Sequence, residues 1–135
     1  MTTTGKLLDM AKKMADAAAA KAIEIDVPMV IAICDKHGNP VLFNRMEDAL
    51  LASIDIATNK AYTAAALKCG SHEVAEASKE AGPLFGLASC DKGRMVVFGG
   101  GMVIKEDGVI IGAIGVSGGS VAEDMIVAQA GLDVL

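Results

Sequence analysis

Few side chains in this sequence have the types and settings that do chemistry. His37 and His72 are the only histidines, and each could ligate a metal, a haem iron included, through its neutral ring. Neither has a partner at helical spacing of the HExxH kind, so a plain surface residue is the simpler reading of each. Asp35, Arg45, Asp55 and Lys60 are charges set beside apolar segments. Asp35 ends an apolar run, where it could cap a turn. Arg45 and Lys60 need a partner or a ligand unless they snorkel to solvent. Lining a pocket, either would suit a carboxylate. Gly99-Gly100-Gly101 has no side chains, so a ligand or another strand could approach it; a bulge or loop between strands is an equal reading. Met95 and Met102 flank that triplet and could meet a haem or fill a core. Gly118-Gly119-Ser120 could cradle an anion at a helix start, but Glu123 and Asp124 follow and favour a simple helix cap. No GxGxxG after a first strand, GK[ST], GxSxG or paired-carboxylate pattern is present.

The elements that must position these groups follow from periodicity. Leu7, Ala11, Met14, Ala18, Ala22 and Ile25 recur at helical spacing, predicting a helix over 5–25 that Pro28 cannot continue. Met29 to Cys34 reads as a strand buried on both faces. A turn through Gly38 and a return strand over Val41 to Met46 follow. A second helix is expected over Leu50 to Leu67 with Gly70 as C-cap, then a shorter helix from Ser71 to Lys79 ended by Gly82-Pro83. Thirteen of the fifteen glycines lie at or after Gly70. Strands are expected over Met95 to Phe98, Met102 to Lys105 and Val109 to Val116, the last two joined by a type I′ turn at Asp107-Gly108. Gly112 and Gly115 mark bulges or close approach. Ser120 with Glu123 fits a capping box for a last helix. Hairpins dominate, so the fold class is α+β with a largely antiparallel sheet flanked by helices, and Val109 to Val116 near its centre.

Composition narrows the function classes. The chain has 135 residues, 53% of them hydrophobic and 21% charged, which fits one domain over 1–135 and excludes disorder as its main state. The charge-free run Val109 to Ala122 holds Gly and Ser and falls short of the roughly 20 apolar residues that a membrane span needs. Lys and Asp interrupt the N-terminal apolar stretch, so it does not read as a secretory signal. A net charge of −5 and 3% aromatic content argue against a nucleic-acid surface. Cys34, Cys69 and Cys90 have no CxxC spacing; reduced, buried thiols in a cytoplasmic protein are the simplest account. So much aliphatic residue in so small a chain points to self-association.

Several segments together resemble one known group. They are Pro28 to Asp35 with Gly38, Ala52-Ser53-Ile54 with Lys60-Ala61 and Thr63-Ala64, Gly108 with Ile111 to Gly119, and Ala128-Gln129-Ala130-Gly131. These resemble the GlcG/HbpS family, which includes the C-terminal domain of PduO-type proteins and OrfY-like proteins. The likeness runs from about Leu7 to Leu135. It implies a profilin-like or PAS-like fold with a five-stranded antiparallel sheet, homo-oligomers (dimers, tetramers or octamers) and, in some members, haem. Asp35, Lys60, Thr63, Gly100, Gly101 and Gly115 match its motif positions, while Val103 stands where members commonly have Pro. The expected protein is an oligomeric small-molecule binder for haem or a related tetrapyrrole, an accessory to glycolate, glycerol or diol metabolism. The alternatives are an enzyme acting on a small carboxylate or aldehyde, with Asp35 or Lys60 as acid or base, and a purely structural module. The ligand pocket is expected between the Gly99–Gly101 loop, the second helix and the Asp35 turn, with Arg45, Lys60 and Thr63 near the ligand and His37 or His72 toward a metal.

Overall fold

The computed structural model describes residues 5–135. Along the chain run α1 (Lys6–Glu24), β1 (Val30–Asp35), β2 (Pro40–Arg45), α2 (Leu51–Leu67), β3 (Gly101–Glu106), β4 (Val109–Ser117) and α3 (Val121–Leu132). The four strands form one antiparallel sheet in the order β2-β1-β4-β3, so β1 and β4 are interior and β4 holds the near-central place its apolar run predicts. Helices cover both faces.

Strand alternation sorts the side chains by size. Met29, Ile31, Ile33, Ile104, Ile114 and Val116 point to one face, where Ala11, Met14, Ala18 and Ala22 of α1 and Val127 and Ala128 of α3 complete the main core. The opposite face carries the small residues Ala32, Cys34, Ala113 and Gly115 against the alanines of α2. Gly101 and Gly115 are paired across β3 and β4, and a Cβ on either would run into the backbone of α2, at Lys60 and at Ala57 respectively. The missing side chains let the α2 backbone lie directly on the sheet. Asp107 and Gly108 both have positive φ, 51° and 80°, which gives the type I′ turn. Ser120 and Glu123 exchange the two bonds of a capping box.

The structure departs from the sequence expectation in four places. The sheet has four strands, not five, because 95–98 does not pair as a strand. Side chains satisfy its backbone instead: Val96 N–H donates to Thr63 Oγ1 and Phe98 C=O accepts from Ser71 Oγ. The helix expected from Ser71 to Lys79 is only a 3-10 turn over Ser71–Val74, since the Ser71 hydroxyl also accepts from Gly101 N–H and is not free to cap. The cap of α2 is Lys68, in the left-handed conformation at φ 58°, rather than Gly70. Of the thiols, Cys34 is buried, Cys69 half-buried and Cys90 exposed, so the buried-thiol expectation holds only for the first.

The two kinds of glycine separate in a stability measurement. Gly115→Ala forces α2 off the sheet and lowers unfolding free energy by about 3 kcal/mol. Gly108→Ala has open space around it and costs only the left-handed backbone, about 1 kcal/mol. Urea unfolding of both variants checks the order; equal losses would show that α2 does not rest on the glycine pair.

Candidate functional site

Two groups of candidate residues sit at different heights on the sheet. Asp35 opposes Gly112 on β4, while Gly101 opposes Gly115 three residues further on, about 10 Å along the strand. The cavities at the Asp35 turn take no lining residue from the glycine loop, contrary to the sequence expectation.

At the glycine-loop end, Lys60 is fully buried. Its Nζ donates to Val116 C=O at 2.9 Å and to Asp124 Oδ2 at 2.7 Å, and it lies 5.1 Å from the centre of the Phe98 ring. Asp124 is 3% exposed and its other oxygen accepts from Gly119 N–H at 2.9 Å. Burial draws the Lys60 ammonium down from its ordinary value and pushes the Asp124 carboxyl up, while their pairing opposes both. The backbone nest at Gly118-Gly119 is thus filled by the chain's own carboxylate. Gly100 has φ 125°, and a Cβ there would lie 2.6 Å from Lys60 Nζ and from Val116 O. The room left by Gly99, Gly100 and Gly101 is taken by Lys60, Ser71 and Met125 of the same chain. The single Thr63 hydroxyl proton is shared between the Asn59 C=O at 2.7 Å and the Arg94 C=O at 3.2 Å, and Oγ1 accepts from Val96 N–H, so Thr63 fastens the segment after Arg94 onto α2. The sequence marked Ser71 and Asp124 only as residues of helix starts, not as partners of the glycine loop and Lys60; the one signal was an acid in the first turn of an otherwise apolar helix.

At the other end the β1–β2 turn, the C-terminus of α2 and the β3–β4 turn border a half-open cavity of about 630 Å3. Lys36 and His37 come from the first, Ala65 and Lys68 from the second, and Gly108, Val109 and Ile110 from the third. Asp35 builds this wall. Its Oδ1 accepts from His37 N–H at 2.9 Å and Asn39 N–H at 3.0 Å, and its Oδ2 from Asn39 Nδ2 at 3.1 Å. Partial burial pushes the Asp35 carboxyl up, but the Asn39 and His37 hydrogen bonds outweigh it and hold the group below its ordinary 3.8. Gly38, at φ 84°, admits the Tyr62 ring, whose Cδ1 would stand 2.8 Å from a Cβ there. The Tyr62 hydroxyl donates to Asp91 Oδ2, and the Arg94 guanidinium lies 4.1 Å over the ring while donating to Asp91 Oδ1 at 2.6 Å. A smaller apolar groove of about 210 Å3 lies on the other side of Gly38, with Cys34 among its lining residues. Burial pushes the Cys34 thiol up to about 11, which makes it a poor nucleophile.

His37 is thus the candidate metal ligand that faces a cavity. Both histidines are exposed, but His72 lies on the 3-10 turn and not in that lining, and Arg45 donates to Ala49 C=O at 3.0 Å on the β2 edge. Asp55 accepts from the Asn59 side chain. Met102 packs against the main core and Met95 is half-buried. Among the described residues no three His, Cys, Asp or Glu side chains gather into a metal cluster, and no helix is long and apolar enough to cross a membrane.

Comparison with known proteins agrees with this architecture. A family model described as haem-degrading protein HbpS-like matches residues 7–133. An uncharacterised 15.0 kDa protein of the dhaT-dhaS intergenic region of Citrobacter freundii is 48% identical over 93% of this chain and 89% of its own length. The corrinoid adenosyltransferase PduO of Salmonella typhimurium is 44% identical over 84% of this chain, which spans only 34% of that protein. The solved PduOC–haem complex superposes with a TM-score of 0.92 at 39% identity, over 94% of this chain and 92% of that one.

Two variants separate the roles of the two ends. Lys60→Met leaves Asp124 buried without a cation and costs about 3–5 kcal/mol, while Lys60→Met with Asp124→Asn recovers most of it; urea unfolding that finds the double variant no better than the single one would contradict the pairing. Asp35→Ala destabilises the fold by about 1 kcal/mol at neutral pH. Because the folded-state value is lowered, that contribution is complete above 3.8 and is lost as pH falls through the folded value. Chemical denaturation from pH 7 downward should therefore show the two proteins converging.

Proposed function

The chain belongs to the HbpS-like family, and from that premise we propose that it binds haem or a related tetrapyrrole in the cavity walled by Lys36, His37, Lys68 and the 108–110 turn. The observation that carries this reading is the joining of three kinds of chemistry in one cavity: an imidazole, two ammonium groups and the aliphatic surface of Val109 and Ile110. The donor set fits the group. A neutral imidazole is an ordinary axial ligand, and lysines suit the carboxylates at a porphyrin edge. The volume falls in the range of small-molecule sites, roughly 300–1,000 Å3. A bound haem would supply an iron centre; the chain's own part is to present His37 on the Asp35-braced turn, hold the anionic edge with lysine and offer the aliphatic side chains after the β3–β4 turn to the ring. The name of the matching family and the haem held by the PduOC relative support the ligand class. Relatives named for a dhaT-dhaS region and for a corrinoid adenosyltransferase support an accessory place in metabolism such as diol or glycerol utilisation.

The same reading includes homo-oligomers in a cytoplasmic, thiol-reducing setting. Leu51 at 81% exposure and Phe85 at 69% offer apolar surface to a second copy, and three free cysteines suit that compartment. No observation favours acid–base work by Lys60, because neither it nor Asp124 lines the cavity.

Haemin titration followed in the visible range tests the proposal. The protein shifts the Soret band, His37→Ala abolishes the shift and His72→Ala leaves it in place. An unchanged haemin spectrum with the wild-type protein would end the haem reading.

A further inference from the structure

The cavity is cationic in an acidic protein. The chain carries a net charge of −5, yet the charged lining residues are Lys36 and Lys68; the neighbouring Asp35 carboxylate stands behind the wall, engaged by the His37 and Asn39 donors. Among the described residues the ion-paired cations are Lys6, Lys21, Lys60, Lys79 and Arg94; Lys36 and Lys68 are not among them, and both are exposed, with their ammonium groups free to meet a ligand from solvent. The two come from separate elements: Lys36 from the β1–β2 turn, Lys68 from the cap of α2. Val109, Ile110 and Ala65 supply apolar surface in the same cavity.

Lys68 is also held at a backbone cost. Its φ of 58° and ψ of 37° are left-handed, the conformation that ends a helix most cheaply with glycine. Its backbone N–H closes the helix on Ala64 C=O, a bond that glycine would make as well. The side chain is therefore not needed to end the helix. A cation there does face the negative end of the α2 dipole, which alone would repel an anionic ligand.

We propose that Lys36 and Lys68 form the anion-recognising pair of this cavity, and that its ligand is an apolar body carrying two carboxylates, one for each lysine. This rests on the tetrapyrrole reading above and narrows it: the ligand must keep two free acid groups. It assigns recognition to residues other than Arg45 and Lys60, whose donors are engaged by Ala49 C=O and by Asp124 and Val116.

The test uses the full chain with haemin, haemin dimethyl ester and the small aromatic dicarboxylate isophthalate. Wild-type protein binds haemin about tenfold more tightly than the diester, and Lys36→Ala with Lys68→Gly binds the two alike, with His37 untouched in both proteins. Lys68→Gly alone weakens haemin severalfold while raising the urea midpoint, because it relieves the left-handed backbone. Equal affinity of the wild type for haemin and its diester would overturn the proposal and leave the haem reading standing, as would a preference that survives in the double variant. A lowered urea midpoint in Lys68→Gly would show the lysine is held for stability and would also overturn it. If wild type binds neither porphyrin, the haem reading fails and isophthalate decides: amide shifts at Ala65 and Ile110 that vanish in the double variant sustain the lysine pair, and their absence overturns it.

Discussion

An ammonium group with no access to water sets the terms for much of this structure. Lys60 starts on one face of the sheet and its charge is answered by Asp124 on a helix of the other face. A charge so placed is tolerated only when paired and fully hydrogen-bonded, and every contact around it serves that need. Val116 offers a carbonyl, Phe98 a ring face, and Gly119 an N–H to the far oxygen of Asp124. Gly100 must be glycine both for its φ and because a side chain would fill the lysine's path. The two helical layers are thereby joined through one end of the sheet. The turns at the other end are left to border a cavity.

The two faces of the sheet do different work. The α1/α3 face buries large aliphatic side chains and supplies most of the hydrophobic stabilisation. The α2 face is lined by Ala, Gly and Cys, which gain little by burial but fix the helix at close range. That closeness matters for the ligand wall. α2 carries Thr63, which grips the segment after Arg94, and Tyr62, whose ring seats against Gly38 in the turn that presents Lys36 and His37. A small shift of α2 would move the lysine at its cap and the histidine turn together.

Much of this was legible in the sequence. Alternation and turn chemistry gave the hairpins, helical spacing the first two long helices and a capping box the last, because each of those signals is local. What stayed hidden was long-range. Nothing near Lys60 in the chain announces that Asp124 lies 2.7 Å from its Nζ. The fifth strand failed for the same reason: Val96 and Phe98 have strand-like side chains, but distant hydroxyls of Thr63 and Ser71 claim their backbone. The glycine loop looked like room for a guest because glycine leaves space; the sequence does not say that a lysine of the same chain takes it. His37 stood out as a type, but its place in a cavity depended on two turns and a helix end meeting.

The strand order also shapes how the chain must assemble. β1–β2 and β3–β4 are local hairpins, but the interior β1–β4 ladder joins Val30 to Ser117 across most of the chain. Local hairpins close quickly, whereas a ladder between such distant segments must first meet the entropy of closing the chain between them. Joining the two hairpins is thus the slow event, with α2 and the irregular stretch from 75 to 100 forming the tether. Closure entropy grows only with the logarithm of tether length, about 0.6 kcal/mol per doubling. That stretch can therefore lengthen or shorten among relatives with little penalty to folding, so long as the residues that clasp Thr63 and Ser71 are kept.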